Sequence, residues 1–182
     1  SQLPASTRLS DVLRIEMGLP GTKIGCNAGD CGACSVLLDG APICSCLTAI
    51  AQVDGAAVTS IEGLNADGTI AKLQDSFLAH GAAQCGICTP GMMVAASALL
   101  AENLAPNRQD VENALGGVLC RCTGYSKIID AVLAVGGDAK ISPRPQAGQN
   151  VGSPIRHLDG QPKVDGSLIY GDDAVPQDAL LV

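Results

Sequence analysis

Along residues 7–19, TRLSDVLRIEMGL, the apolar positions Leu9, Val12, Leu13 and Met17 keep to one face of a 3.6-residue period. That spacing predicts a short amphipathic helix, and Gly18 stands where it should end. Further on, SVLL and APICSC flank Asp39-Gly40, a strong hairpin signal. AAVTSIEGL, residues 56–64, reads as another strand. From Thr69 the texture changes: IAKLQDSFLAHG, PGMMVAASALLAENL, NRQDVENALGG and SKIIDAVLAVG each carry helical apolar spacing. Thr89-Pro90 opens the second of these as an N-cap followed by proline at the first helical position. Asp110 and Glu112 suit the first turn of the third.

The pattern divides the chain into an α+β part over residues 1–68 and a small bundle of four helices over 69–137. ISPRPQAGQN, within 138–150, has no periodicity and reads as a linker. The tail, 151–182, shows little helical pattern and needs a surface to lie on. Its apolar residues Ile155, Leu158, Val164, Leu168, Ile169 and Tyr170 must be buried somewhere, and SLIY offers a strand for main-chain pairing.

Composition sharpens this. The 182 residues include 22 glycines and nine cysteines, but one phenylalanine, two tyrosines and no tryptophan. Cores built from small aliphatic side chains need a supplement, and a metal is the usual one. The net charge of −7 argues against nucleic acid, since no basic stripe meets phosphates. The longest apolar run, near 92–100, is too short to span a bilayer, and no export signal precedes it. These features point to the cytoplasm and to reduced thiols, and the odd cysteine count disfavours a disulfide scaffold. The chain opens without methionine, as a processed or incomplete polypeptide would.

The cysteines fall into two sets. Cys26, Cys31 and Cys34 follow C-x4-C-x2-C, with Cys46 after eleven intervening residues, the plant-type ferredoxin spacing for a 2Fe–2S cluster. Gly25, Gly29 and Gly32 would let that loop turn sharply and aim N–H groups at sulfur. Cys44 and Cys46 share a face if the return strand continues, so spacing leaves the fourth ligand open between them. Zinc is a rival occupant, although structural zinc sites favour two separated C-x2-C knuckles. The second set is Cys85-x2-Cys88 and, after thirty-one residues, Cys120-x-Cys122. Each pair directly precedes a predicted helix, so two positive helix ends would face one site. A second Fe–S cluster is the better account.

GTKIGCNAGDCGACSVLLDG…CSCL, then QCGICTPGMM and LCRCTGY, closely resembles the iron–sulfur subunit or domain of the molybdenum hydroxylases, the xanthine dehydrogenase and aldehyde oxidoreductase family. The resemblance covers about residues 7–137. It implies an N-terminal β-grasp domain like plant ferredoxin and a four-helix domain, each holding one 2Fe–2S cluster. It makes Cys26, Cys31, Cys34 and Cys46 ligands of the first, favouring Cys46 for its Ser45-Cys46-Leu47 context. It makes Cys85, Cys88, Cys120 and Cys122 ligands of the second, with Gln84 and Cys122 against the molybdopterin. Arg121, between two of these cysteines, would balance cluster charge or meet cofactor phosphate. His80 reads as a capping or packing residue, and His157 has no role assigned.

The implied function is electron transfer within a multi-subunit molybdenum-dependent oxidoreductase that hydroxylates an aldehyde or N-heterocycle. Electrons pass one at a time from molybdopterin through two clusters to FAD or an external acceptor. The expected partners are a molybdenum-binding large subunit, which carries the substrate site, and an FAD-binding subunit. No catalytic residue is expected in this chain. A free-standing double-cluster ferredoxin and a zinc or redox-sensing module are the alternatives. The resemblance implies that the family's first strand would precede Ser1. It likens the tail to the opening of the molybdenum-binding polypeptide, so the tail is expected to leave the small domains and lie along that partner.

Overall fold

The computed structural model describes residues 3–66, 68, 70–135, 148–149, 151 and 155–176. The expected linker 138–150 lies outside the described residues except for 148–149. The first helix is short: α1 (Leu9–Asp11) runs into a π-helical segment, Val12–Glu16. Its inward residues Leu9 and Leu13 bury against Val36 of the sheet, with Leu19, Ile43, Val53 and Val58 partly covered around them. The strands are β1 (Ser35–Leu38), β2 (Ala41–Cys44) and β3 (Val58–Thr59), antiparallel in the order β2-β1-β3. Asp39 and Gly40 turn the β1–β2 hairpin with φ of 48° and 87°, the left-handed pair that a two-residue loop requires. Asp39 also accepts the Ala57 N–H at 2.9 Å, which ties the turn to the approach of β3.

Two sequence expectations fail here. The strand predicted over 56–64 stops at Thr59, and α2 (Ile61–Ala66) follows. Ile61 and Leu64 lie three apart and both reach the helical core, so burial on a helix face overrode the β-branched composition. The return strand ends at Cys44, and Ser45–Leu47 is a 3-10 turn, so the alternation assumed for Cys44 and Cys46 does not apply.

The four helices are α3 (Ala71–His80), α4 (Thr89–Glu102), α5 (Arg108–Leu115) and α6 (Ser126–Val135). Helix α4 is the axle, buried continuously over residues 89–97 and apolar all round, as a central helix must be. Thr89 is its first helical residue and Cys88 takes the N-cap position, one residue earlier than the sequence suggested. Asn107 and Asp110 form a reciprocal capping box at the start of α5. Ser76 Oγ donates to the Ala131 carbonyl at 2.7 Å, joining α3 to α6. His80 ends α3 with Nδ1 2.8 Å from the Ser76 carbonyl, a helix-end packing role.

Beyond the bundle, α7 (Gly160–Val164) packs on α3 and α4, with Val164 fully buried. The expectation that the tail leaves the small domains is therefore overturned for residues 155–176. SLIY forms no strand. Of the six apolar tail residues only Val164 is buried, while Ile155, Leu158 and Ile169 stay exposed. Besides Val164, the segment is held by polar bonds to its own chain.

Candidate metal centres

The first centre is the loop 25–34 closed by the turn after β2. Cys26 N–H donates to Cys31 Sγ at 3.3 Å, and the Ala28 and Cys31 N–H groups donate to Cys26 Sγ at 3.3 and 3.4 Å. These donors, Ala28 first, pull the Cys26 thiol down to about 7, toward the thiolate that binds metal. Gly29 and Gly32 take the expected positive φ, but Gly25 does not. Gly25 is needed for space instead, because a Cβ there would lie 2.9 Å from Cys31 Sγ. Cys34 and Cys46 are buried, and Ser45 Oγ pins them together by donating to the Cys34 carbonyl at 2.7 Å.

Gly29 treats the two candidate fourth cysteines in opposite ways. Its carbonyl faces the Cys44 thiol at 3.7 Å, which places Cys44 as a hydrogen-bond donor. Its N–H opposes, without cancelling, the rise that burial imposes on the Cys46 thiol. Burial pushes both thiols up, and charge on the neighbouring cysteines adds to it.

The second centre gathers Cys85, Cys88, Cys120 and Cys122 from two loops. Cys88 sits at the N-cap of α4, and Cys122 precedes α6 by the short stretch Thr123–Tyr125. Burial pushes the Cys88 thiol strongly up, and it pushes Cys85 up against the opposing Ile87 N–H. At Cys120 burial is again the largest influence, but bonds from Thr123 outweigh it and the thiol falls. Thr123 Oγ1 lies 3.1 Å from Cys120 Sγ, and the Tyr125 hydroxyl accepts the Cys120 N–H at 2.9 Å. Neither residue was singled out in the sequence. The Thr three places after Cys120 was the available signal, since hydroxyls bond locally at that spacing. Gln84 and Arg121 are exposed beside these cysteines.

Four thiolates crowded together in partly dry surroundings repel one another, and only a multiply positive group would hold them all deprotonated. Among the described residues no three His, Cys, Asp or Glu side chains close around a point fit for a single ion. Four cysteines per set supply the two thiolates that each iron of a 2Fe–2S cluster takes, and the C-x-C pair departs from the two-knuckle spacing of structural zinc.

The centres meet back to back. The Leu119 N–H donates to the Cys31 carbonyl at 2.9 Å, one residue before Cys120. This contact needs bare backbone on both sides. A Cβ on Gly32 (φ 66°) would strike the Gly117 carbonyl, and one on Gly91 would lie 2.5 Å from the Gly32 carbonyl. Near the second centre, the Tyr170 hydroxyl donates to the Cys85 carbonyl at 2.8 Å. Burial and then the charges of Cys85 and Cys88 push that phenol up to about 12. No helix among the described residues is long and apolar enough to cross a membrane.

Residues 60–133 match the family model of a [2Fe-2S] binding domain. The nicotine 6-hydroxylase small subunit of Paenarthrobacter nicotinovorans is 48% identical over 129 residues, 71% of this chain and 78% of that protein. The aldehyde oxidoreductase of Megalodesulfovibrio gigas is 41% identical over 182 residues, covering 93% of this chain but only 20% of that protein. The crystal structure of the aldehyde oxidoreductase from Desulfovibrio desulfuricans superposes with a TM-score of 0.88 at 38% identity, over 97% of this chain and 21% of that one. This chain therefore spans about a fifth of the length of the aldehyde oxidoreductases it matches. With both cysteine sets gathered as the motifs require, the chain belongs to the iron–sulfur subunits and domains of the molybdenum hydroxylase family, that of xanthine dehydrogenase and aldehyde oxidoreductase.

Proposed function

We propose that the chain relays electrons singly, through two 2Fe–2S clusters in series, from a molybdopterin centre to FAD or an external acceptor. The carrying observation is the Cys31–Leu119 hydrogen bond, which joins the backbones of the two ligand loops. Each cluster, when bound, supplies a one-electron carrier. The chain's own work is to fix the clusters' separation, bury part of each ligand set and direct N–H donors at sulfur.

In this reading Cys26, Cys31, Cys34 and Cys46 hold the first cluster, with Cys46 preferred to Cys44 because Gly29 turns its N–H to one and its carbonyl to the other. Cys85, Cys88, Cys120 and Cys122 hold the second. The exposed Cys122 and Gln84 face the pterin of a molybdenum-binding partner, and the loop 25–34 faces outward. The first domain is a β-grasp ferredoxin-like unit, and its seam with the helical domain falls where Ile61 turns into the helical core. Oxidative hydroxylation of an aldehyde or N-heterocycle takes place on the partner, which selects the substrate. The aldehyde oxidoreductase match covers 93% of this chain and the small-subunit match 71%, which favours a place beside a molybdenum-binding polypeptide.

The test is stepwise reduction of the protein followed by electron paramagnetic resonance. Two distinct signals, each near one spin per chain, are expected. A colourless protein, or one with a single signal, would refute the relay.

A further inference from the structure

The tail meets both domains at one place. From the first domain, the buried Lys23 sends Nζ to the Gly166 and Leu168 carbonyls at 3.0 and 2.7 Å and lies 5.4 Å over the Tyr170 ring. Arg14 pairs with Asp173, and the Tyr170 N–H donates to that same carboxylate at 3.0 Å. From the helical domain, Asn65 donates to the Asp165 carbonyl at 2.7 Å, and Gln74 to that of Val164 at 3.3 Å. Tyr170 is thus pinned on both sides, and its hydroxyl reaches the Cys85 carbonyl.

The loop is shaped to receive it. Gly86 has φ of 94°, and a Cβ there would lie 2.6 Å from the Tyr170 hydroxyl and 2.7 Å from Lys163 Cγ. The Cys85–Gly86 peptide therefore rests directly on the tail. Its orientation sets where the following N–H groups point, and the Ile87 N–H is the group that counters burial at the Cys85 sulfur. Such N–H···S bonds stabilise the more negative, reduced state of a cluster and raise its potential.

We infer that the tail is part of the second metal centre, and that Tyr170 is a positioning residue which sets that centre's reduction potential by fixing the Cys85–Gly86 peptide. The inference rests on the second cysteine set holding a cluster. Lys23, three residues before Cys26, anchors Tyr170 from the first domain, so the clamp also ties the two ligand loops to one another. Tyr170 and Lys23 both lie outside the 60–133 family match.

The experiment is a redox titration of the full chain followed by electron paramagnetic resonance, with the second centre's signal identified as the one Cys120→Ser abolishes. Tyr170→Phe keeps the ring and removes the hydroxyl. It is expected to lower the midpoint potential of the second signal while the first stays in place. Gly86→Ala, which must push the tail away, is expected to shift the same signal in the same direction. An unchanged second potential in Tyr170→Phe, or equal shifts of both signals, overturns the inference while leaving the relay standing. Absence of a second signal in the unaltered chain overturns both.

Discussion

The ferredoxin-like part and the helical part solve the same problem with very different means. In the first, Leu9, Leu13 and Val36 alone among the described residues form its buried aliphatic cluster, under a three-stranded sheet of short strands. In the second, a continuous core runs from Ile61 through Phe77, Met92 and Ile128 to Val164. A loop that spends its residues on sulfur geometry has few left for burial. The first part is therefore expected to lean on bound metal for stability, and the bundle to need it mainly for function.

Stripping iron is the harshest way to break this contrast. It should unfold the first domain and leave the bundle folded, so that in hydrogen exchange the Val36 amide loses protection while amides of α3, α4 and α6 keep theirs. Equal loss in both parts would refute the contrast. Next in size, Phe77→Ala should cost about 3–5 kcal/mol in the bundle, and Leu13→Ala about 2 kcal/mol in the metal-loaded first domain. Denaturant midpoints of the two parts check both values.

Ligand substitution sharpens the comparison within the first domain. Cys46→Ser should abolish or distort the first paramagnetic signal, and Cys44→Ser should leave both signals in place. The reverse result would show that Gly29 does not discriminate between the two sulfurs as its bonds suggest.

The smallest effect concerns the clamp that joins the two regions. Burial raises the Asp173 carboxyl, but the Tyr170 N–H and Arg14 outweigh it and hold it below its ordinary 3.8. A depressed carboxylate stabilises the fold above the unfolded-state value and loses that contribution as pH falls through the folded one. Brief acidification from just above 3.8 downward should therefore loosen residues 165–173 before the bundle core, read by pulse-labelled hydrogen exchange. Tail protection that falls only together with α4 would count against it.

Much of this architecture was legible in the residues. The four helices stand where their apolar spacing put them, because each buries one face against α4 or a neighbour of α4. Asp39-Gly40 announced the hairpin, since few other pairs accept its backbone angles. The strand expected over 56–64 was misread because β-branched residues carry no information about which layer will cover them. The tail was misread for a related reason: its apolar residues suggested a partner surface, but what holds it is the one buried Val164 and a set of polar bonds from residues scattered across the chain.

Sequence alone determined the chemistry. Cysteine number, spacing and order name the ligand type and the family, because a cluster imposes its own geometry on any loop that binds it. Tertiary structure alone decided three things: which way Gly29 faces Cys44 and Cys46, that Leu119 meets Cys31, and that Tyr170 reaches Cys85. Each depends on backbone groups brought together from distant parts of the chain. Every residue carries the same N–H and C=O, so no sequence pattern records which of them will meet.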